Sequence, residues 1–291
     1  MARTGIMTPV LFTRKRFEQW IKEDGFVLVQ PKINGNRCRV KGYPDGKATL
    51  YSSSAAEIKS MEHINMQMGL VAKKVIQTTG AFYHHFDGEL YLHGQHHQTT
   101  DGWCRRQYSA PEHLSISYLI FDMIDTYTPQ HKRTDFLSYL NAIVMPMQNI
   151  QVVPTYAITN FADLEMMHIQ ALKDGYEGTV IRNVHNIYQE KQKCTMLMKW
   201  KPMNIMTCEV VDYNQEQTQD GEFKDSLGSF VCKMPDSELL FSCGSGLTAV
   251  ERANWWPKTR AKEIGPKRIK VKYQELTKAG KPHVVVYRGP A

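Results

Sequence analysis

No window of the 291-residue chain carries the long uninterrupted apolar run that a membrane helix requires. No bilayer span and no membrane partner are therefore expected. The stretch from Met1 to Arg16 is basic, but it has no continuous apolar core and no small-residue cleavage site. No secretory signal is read there, and a cytoplasm is the expected location. The six cysteines (Cys38, Cys104, Cys194, Cys208, Cys232 and Cys243) include no C-x-x-C pair, which removes the usual zinc spacing. A chain of this length can bury a core without disulfides, so free thiols in a reducing compartment are expected. Repeats and low-complexity blocks are also missing. His93, His96 and His97 have helical spacing in a strand-or-loop context, and they read as surface histidines rather than metal ligands.

What the chain does have is positive charge. Lys and Arg number 36 against 29 Asp and Glu, a formal net charge of +7. A basic balance favours polyanionic partners, because each neutralised phosphate releases condensed counterions. Charge alone does not identify such a partner, since many basic proteins bind no nucleic acid.

The pattern along the chain has two textures. Phe17, Trp20 and Ile21 predict a short helix over 14–23. Gly25 to Gln30 is a compact apolar run that reads as a buried strand. Asn34-Gly35 follows as a hairpin signal, with Arg37 to Val40 as the partner strand. Helices are expected over 55–78, 134–147 and 160–174, the last stopped by Gly175. Strands are expected from Phe86 to Leu92, broken near Asp87-Gly88, and at Leu114 to Met123, Gly178 to Arg182 and Thr195 to Trp200. After Pro202 short strands dominate, at about 207–213, 228–233, 239–243, 268–273 and 283–288, with one helix near 248–263. Turn signals separate them at Gln219-Asp220-Gly221, Gly244-Ser245-Gly246 and Lys278-Ala279-Gly280-Lys281. The fold expectation is α/β (α+β) over 1–202, then a small Greek-key barrel of the oligonucleotide-binding (OB) kind over 203–291.

Four segments carry chemistry. Taken alone, Lys32 to Arg37 fits a hairpin with two solvated basic residues. The sharper reading puts Lys32 at the end of a buried strand, aimed into a cleft. A free lysine has a pKa of about 10.4, so at neutral pH only about one in a thousand is unprotonated. Desolvation and a nearby cation, such as Arg37 or a bound Mg²⁺, would expose the amine lone pair. Asp87-Gly88-Glu89 alone fits a turn, and Glu177-Gly178 repeats the pairing of an acid with glycine. Lys199 and Lys201 share one face if their segment is a strand, and alone they fit a solvated edge. The order of the four decides the reading. A lysine, two carboxylates and paired lysines suit phosphoryl-group transfer onto a lysine. Carboxylates hold Mg²⁺, and lysines neutralise charge growing on phosphate oxygens.

These residues resemble the covalent nucleotidyltransferase superfamily. Its lysine motif is usually K-x-D-G-x-R, and here it stands as Lys32-Ile33-Asn34-Gly35-Asn36-Arg37. Phe86-Asp87-Gly88-Glu89-Leu90, Tyr118-Leu119-Ile120-Phe121-Asp122, Tyr176-Glu177-Gly178-Thr179-Val180-Ile181-Arg182 and Leu197-Met198-Lys199-Trp200-Lys201-Pro202 resemble the motifs that follow, in order. Gly228-Ser229-Phe230-Val231, Phe241 to Leu247 and Val271 to Pro282 are similar to the OB domain of small viral and bacterial ATP-dependent DNA ligases. The resemblance implies a nucleotidyltransferase (adenylation) domain over 1–202 and an OB-fold domain over 203–291. It implies an ATP-dependent DNA ligase, acting as a monomer on nicked double-stranded DNA in replication, repair or recombination. A bacteriophage enzyme, working in its host's cytoplasm, would fit. Lys32 would attack the α-phosphate of ATP, and the AMP it carries would pass to the 5′-phosphate of a nick for attack by the 3′-hydroxyl. Gln30 would read the adenine edge and Phe121 would stack on the base. Arg37 and Glu89 would contact the ribose and the nick or metal. Asp87, Glu89 and Glu177 would be the carboxylates for Mg²⁺ (or Mn²⁺). Lys199 and Lys201 would hold the α-phosphate, and Arg288 would serve as the C-terminal basic motif.

Three departures from the family pattern stand out. Asn34 replaces the usual aspartate, keeping hydrogen bonding but losing a charge. Ser53, in Leu50-Tyr51-Ser52-Ser53-Ser54, stands near where many relatives carry an arginine. The C-terminal basic motif is shortened to Arg288. The loop from Tyr213 to Gly228 is too short for the basic clamp that some viral relatives insert. DNA contact is expected to fall to other basic surfaces, including Arg105 and Arg106. Two other readings share parts of the pattern. One is an RNA ligase or mRNA-capping guanylyltransferase, which would use the same lysine chemistry. The other is a basic nucleic-acid-binding protein with a decayed nucleotide pocket.

Overall fold

The computed structural model describes residues 5–80, 84–95, 97–190, 193–218, 220–260, 265–277 and 279–291. His96 of the histidine group, Gln219 and Lys278 of the turn signals, and the end of the expected last helix lie outside the described residues. The chain divides into two compact units, Met1–Lys201 and Pro202–Ala291. Among the described residues no helix is long and apolar enough to cross a membrane.

The first unit is built as β1 (Thr8–Leu11), α1 (Arg14–Asp24), β2 (Val27–Lys32), β3 (Asn36–Gly42), β4 (Ala48–Ser52), α2 (Glu62–Thr79), β5 (His84–Tyr91) and α3 (His97–Cys104). A 3-10 turn over Pro111–Ser115 leads into β6 (Ser117–Met123), α4 (Gln130–Val144), β7 (Ile150–Val152), β8 (Tyr156–Ile158), α5 (Phe161–Lys173), β9 (Gly178–Arg182) and β10 (Lys193–Trp200). Two five-stranded sheets result, ordered β1-β10-β9-β2-β8 and β4-β3-β5-β6-β7. β2 reads as an apolar run because it is central, paired with β9 on one side and β8 on the other. α1 buries Phe17 and Trp20 and stops at Gly25, whose φ of 80° is left-handed. α5 starts at Asn160, whose side chain accepts from Asp163 N at 3.0 Å. Helices cover the outer faces. α1 and α5 pack on the first sheet through Phe17, Trp20 and Leu164. α2 and α4 pack on the second through Ile64, Met68, Leu137 and Leu140. A smaller apolar cluster of Ile33, Tyr91, Leu119, Val153, Phe121 and Tyr176 lines the groove between the sheets.

Three local expectations need correction. The Asn34-Gly35 turn does not close a hairpin: β3 pairs with β4 and β5, while β2 stays in the other sheet. The turn carries the chain across the groove. Asp87-Gly88 does not break its strand either. β5 runs on through it, with a register shift against β6 between the two residues. The residues from 55 to 61 are not helical, and α2 begins at Glu62.

The second unit contains β11 (Asn204–Gln217), β12 (Phe223–Lys233), β13 (Leu240–Cys243), α6 (Ala249–Arg260), β14 (Arg268–Tyr273), β15 (Glu275–Leu276), β16 (Pro282–His283) and β17 (Val286–Pro290). Its sheet is ordered β13-β12-β11-β14-β17 around a core that includes Phe230, Ile269, Val271, Trp256 and Tyr287. This five-stranded order suits the expected OB-like fold, and its two edge strands approach where Tyr287 N donates to Ser245 O at 2.8 Å. The Tyr213–Gly228 segment is mostly strand. β11 and β12 pair almost to the tip, where Thr218 N donates to Glu222 O at 2.8 Å.

Candidate active site

The groove residues are placed by backbone before side chains matter. β2 delivers Lys32 at its end, and Glu177 N donates to Lys32 O at 2.9 Å, setting the two residues side by side. Gly178 follows with φ 144°. A Cβ there would overlap the Trp200 carbonyl oxygen, so glycine lets the start of β9 lie against the end of β10. Trp200 stacks on Phe12 (4.6 Å, 10°) and on His168 (4.1 Å, 3°) on the helical side of the sheet. Strand alternation then turns Lys199 and Lys201 toward the groove.

The side chains meet there. The Glu177 carboxylate bridges two ammonium groups, accepting from Lys32 Nζ on one oxygen and Lys201 Nζ on the other. Burial alone would raise the pKa of Glu177, but Lys32 and Lys201 outweigh it and hold the carboxyl below its usual range. Burial and the neighbouring Lys32 lower the pKa of Lys201 despite its pairing with Glu177. Glu89 faces the same groove from β5. Burial, with Asp87 and Glu177 nearby, pushes its pKa up to about 7 against the pull of Lys32 and Arg37. Lys199 is half-buried on β10.

Arg37 and Asp87 serve each other. Arg37 Nε and Nη2 donate to the two Asp87 oxygens at 3.0 and 2.5 Å, and Nη1 donates to Met7 O at 2.7 Å. Tyr188 adds a hydroxyl to Asp87 at 2.5 Å. Burial disfavours the Arg37 charge, but Asp87, Tyr188 and Glu89 raise its pKa above the ordinary value. The fully buried Asp87 carboxylate is engaged by Arg37 and Tyr188. Arg37 also lies 5.3 Å from the Phe121 ring centroid. Among the described residues no group of three or more His, Cys, Asp and Glu gathers as a metal cluster. Glu89 and Glu177 remain as groove carboxylates, and a hard divalent cation fits their oxygen chemistry.

Gln30 lies two residues before Lys32, buried at 1% exposure. Its amide donates to Phe121 O (3.0 Å) and Thr155 Oγ1 (2.9 Å) and accepts from Arg182 Nε (2.9 Å). Behind it Asp122 binds Arg133 at 2.8 Å and Arg182 at 2.8 Å, all three essentially inaccessible. Arg133, Tyr188 and Thr155 carried no sequence signal. Beside the groove an open cavity of about 510 Å³ is lined by His93, Lys173, Asp174, Gly175 and Tyr176. His93 is engaged by the Tyr91 hydroxyl at 2.8 Å. Ser53 sits in the turn after β4. Arg105 and Arg106 pair with Asp101 and Glu112 at 2.8 and 2.6 Å. Arg288 is exposed on β17 of the second unit.

The architecture is that of a nucleotidyltransferase domain followed by an OB-like domain. A family model described as an ATP dependent DNA ligase domain matches residues 10–201, and one described as a DNA ligase OB-like domain matches 220–289. The chain belongs to the ATP-dependent DNA ligase family. The DNA ligases of two African swine fever virus isolates are each 26% identical, over 90% and 96% of this chain and 63% and 67% of their own lengths. The chain thus spans about two thirds of the viral relatives it matches. Among solved structures, a Lig E DNA ligase superposes with a TM-score of 0.73 at 18% identity, covering 99% of both chains. The bacteriophage T7 ATP-dependent DNA ligase in complex with ATP gives 0.60 at 14% identity, covering 99% of this chain and 98% of its own. At these identities the likeness concerns the fold.

Proposed function

We propose that the chain is an ATP-dependent DNA ligase that seals nicks bearing a 5′-phosphate and a 3′-hydroxyl in duplex DNA. The observation that carries this is Lys32 and Lys201 gripping one carboxylate, Glu177, in the groove that Phe121 and Glu89 also line. The unprotonated Lys32 Nζ attacks the α-phosphorus of ATP. A P–N bond forms, the bond to the bridging oxygen breaks, and pyrophosphate leaves. Lys201 and Lys199 neutralise the charge growing on the α-phosphate oxygens. Phe121 stacks on the adenine and Gln30 contacts its edge. Arg37, held by Asp87, keeps a fixed cation beside the Phe121 ring. AMP then passes to the 5′-phosphate of the nick, and the 3′-hydroxyl displaces it.

Glu89 and Glu177 would hold Mg²⁺ or Mn²⁺, which supplies charge neutralisation at the phosphates. Arg105 and Arg106 contribute to the DNA surface, since exposed ion pairs are weak enough to exchange for phosphate. Arg288 contributes a cation from the OB-like unit. The protein acts as a monomer in a cytoplasm, with its domain boundary near residue 202. Incubation with α-labelled ATP should label wild type and not Lys32→Ala, and wild type should seal a nicked duplex. Label from GTP but not ATP would point to a guanylyltransferase, and faster sealing of RNA than DNA nicks to an RNA ligase. DNA binding without any labelling would point to a decayed pocket.

A further inference from the structure

Gln30 and Lys32 lie two apart on β2, so they share the groove face. An amide there can be turned two ways, and the two ways read opposite bases. With its oxygen toward a purine it accepts from the 6-amino group of adenine. With its nitrogen outward it donates to the 6-oxygen of guanine or hypoxanthine.

The surroundings of Gln30 permit one of these. Nε2 faces two acceptors, the Phe121 carbonyl at 3.0 Å and Thr155 Oγ1 at 2.9 Å. The Thr155 hydroxyl proton is already directed to Val153 O at 3.5 Å, which leaves Oγ1 to accept. Oε1 faces a donor that cannot lose its proton, Arg182 Nε at 2.9 Å. Turning the amide over would set oxygen against oxygen at Phe121 and N–H against N–H at Arg182.

Arg182 in turn has no freedom to yield. Its Nη1 donates to Asp122 Oδ2 at 2.8 Å and to Gln130 Oε1 at 3.3 Å, and its Nη2 reaches Phe121 O at 3.5 Å. Asp122 is pinned from behind by Arg133, at 2.8 Å on Oδ1 and 3.2 Å on Oδ2. Arg133 is anchored by the Thr128 and Asn186 carbonyls at 2.6 and 2.9 Å. Arg182, Asp122 and Arg133 are 3%, 0% and 0% exposed.

We propose that Arg182, braced by Asp122 and Arg133, is a specificity-determining positioning residue that locks the Gln30 amide with its oxygen as the acceptor, so that the site selects adenine over 6-oxo purines. The inference rests on the ligase reading of the groove. Selection works by mismatch. A 6-oxo purine would meet an acceptor with an acceptor, and no rotation of Gln30 relieves it.

The test compares covalent labelling by α-labelled ATP and α-labelled inosine triphosphate, which differ at the 6-position without adding the 2-amino group of guanine. Arg182→Lys keeps a charge for Asp122 but cannot serve Asp122 and Gln30 together. The expected result is a fall of at least about ten-fold in the ATP-to-ITP ratio of kcat/KM, with KM for ATP rising more than kcat falls. Thr155→Val removes one acceptor from Nε2 at a half-buried loop position. It should lower the same ratio by about three-fold, and it decides the matter if Arg182→Lys does not fold. An unchanged ratio in the folded variants, with both nucleotides affected equally, would reduce Arg182 to scaffolding. Absence of label on wild type from either nucleotide would instead overturn the ligase reading itself.

Discussion

Gly35 offers a sharp test of how the lysine motif is built. In a hairpin turn, its glycine would be there for a left-handed backbone. The structure gives a different reason, because Gly35 does not have positive φ. A Cβ at this position would overlap the Leu90 carbonyl oxygen and lie 2.9 Å from Glu89 Cγ. Both neighbours belong to β5, whose backbone is held on two sides by β3 and β6. Gly35→Ala must therefore push the turn or the strand, and overpacking of this kind costs about 1–3 kcal/mol. For a unit the size of Met1–Lys201, each kcal/mol moves Tm by about 2–4 °C, so a fall of roughly 2–12 °C is expected. The decisive comparison is Gly35→Asn. Asparagine tolerates a left-handed backbone better than alanine, but it is larger. Crowding predicts that Asn is worse than Ala, and backbone conformation predicts the reverse. Thermal unfolding of the three proteins settles it, with covalent ATP labelling measured alongside. Because the displaced atoms include Glu89, labelling should slow by more than the loss of folded protein explains. A Gly35→Asn protein more stable than Gly35→Ala would refute the argument.

Glu177→Gln removes the carboxylate that Lys32 and Lys201 share, and AMP labelling should fall by about 100-fold or more in a gel assay. Asp122→Asn leaves two buried guanidinium groups facing a neutral amide, which should cost about 3–5 kcal/mol in urea unfolding. Glu89 supplies a pH test. Its folded pKa of about 7 lies above the unfolded carboxylate value, so the folded protein binds this proton more tightly. Its contribution to stability is full at low pH and is lost as pH rises through about 7. Without nucleotide or metal, Glu89→Gln should be more stable than wild type by on the order of 2 kcal/mol at pH 8, and the gain should shrink toward pH 5. Around the β11–β12 turn, Asp212, Glu216, Asp220, Glu222 and Asp225 outweigh Lys224. Glu222→Lys should leave binding to a nicked duplex unchanged in a titration, because this turn is not expected to touch DNA. A footprint showing the duplex encircled by residues 214–227 would contradict that.

The order of motifs made the groove legible before its shape was known. Lys32, Glu177 and Lys201 are far apart in the chain, yet the side chains meet at one carboxylate. Each was legible as a charged residue ending or starting an apolar strand. The partners of Asp87 were not legible. An Asp-Gly-Glu string reads as a turn carrying two equivalent acids, but the continuous β5 separates their fates. Asp87 is consumed by Arg37 and Tyr188, the latter 101 residues away, while Glu89 stays in the groove. No local pattern distinguishes two such carboxylates.

Asn34-Gly35 shows why the same limit applies to strand pairing. The dipeptide signals that the chain turns, and it does. It does not say which strand the turning chain rejoins. β3 joins β5 because its alternate residues Cys38 and Val40 are buried in the cluster that also holds Phe86 and Leu90, an arrangement set by strands still to come in the sequence. Gln30 follows the same logic at the level of one side chain. A polar residue inside the apolar run of β2 has to find partners, because a buried amide left unpaired costs about 1–3 kcal/mol. Its partners lie 91, 125 and 152 residues away, at Phe121, Thr155 and Arg182. The need was written locally and the answer was not. In the proposed site that answer would also decide the chemistry, since the same three neighbours that satisfy Gln30 would choose which end of its amide is left for a base.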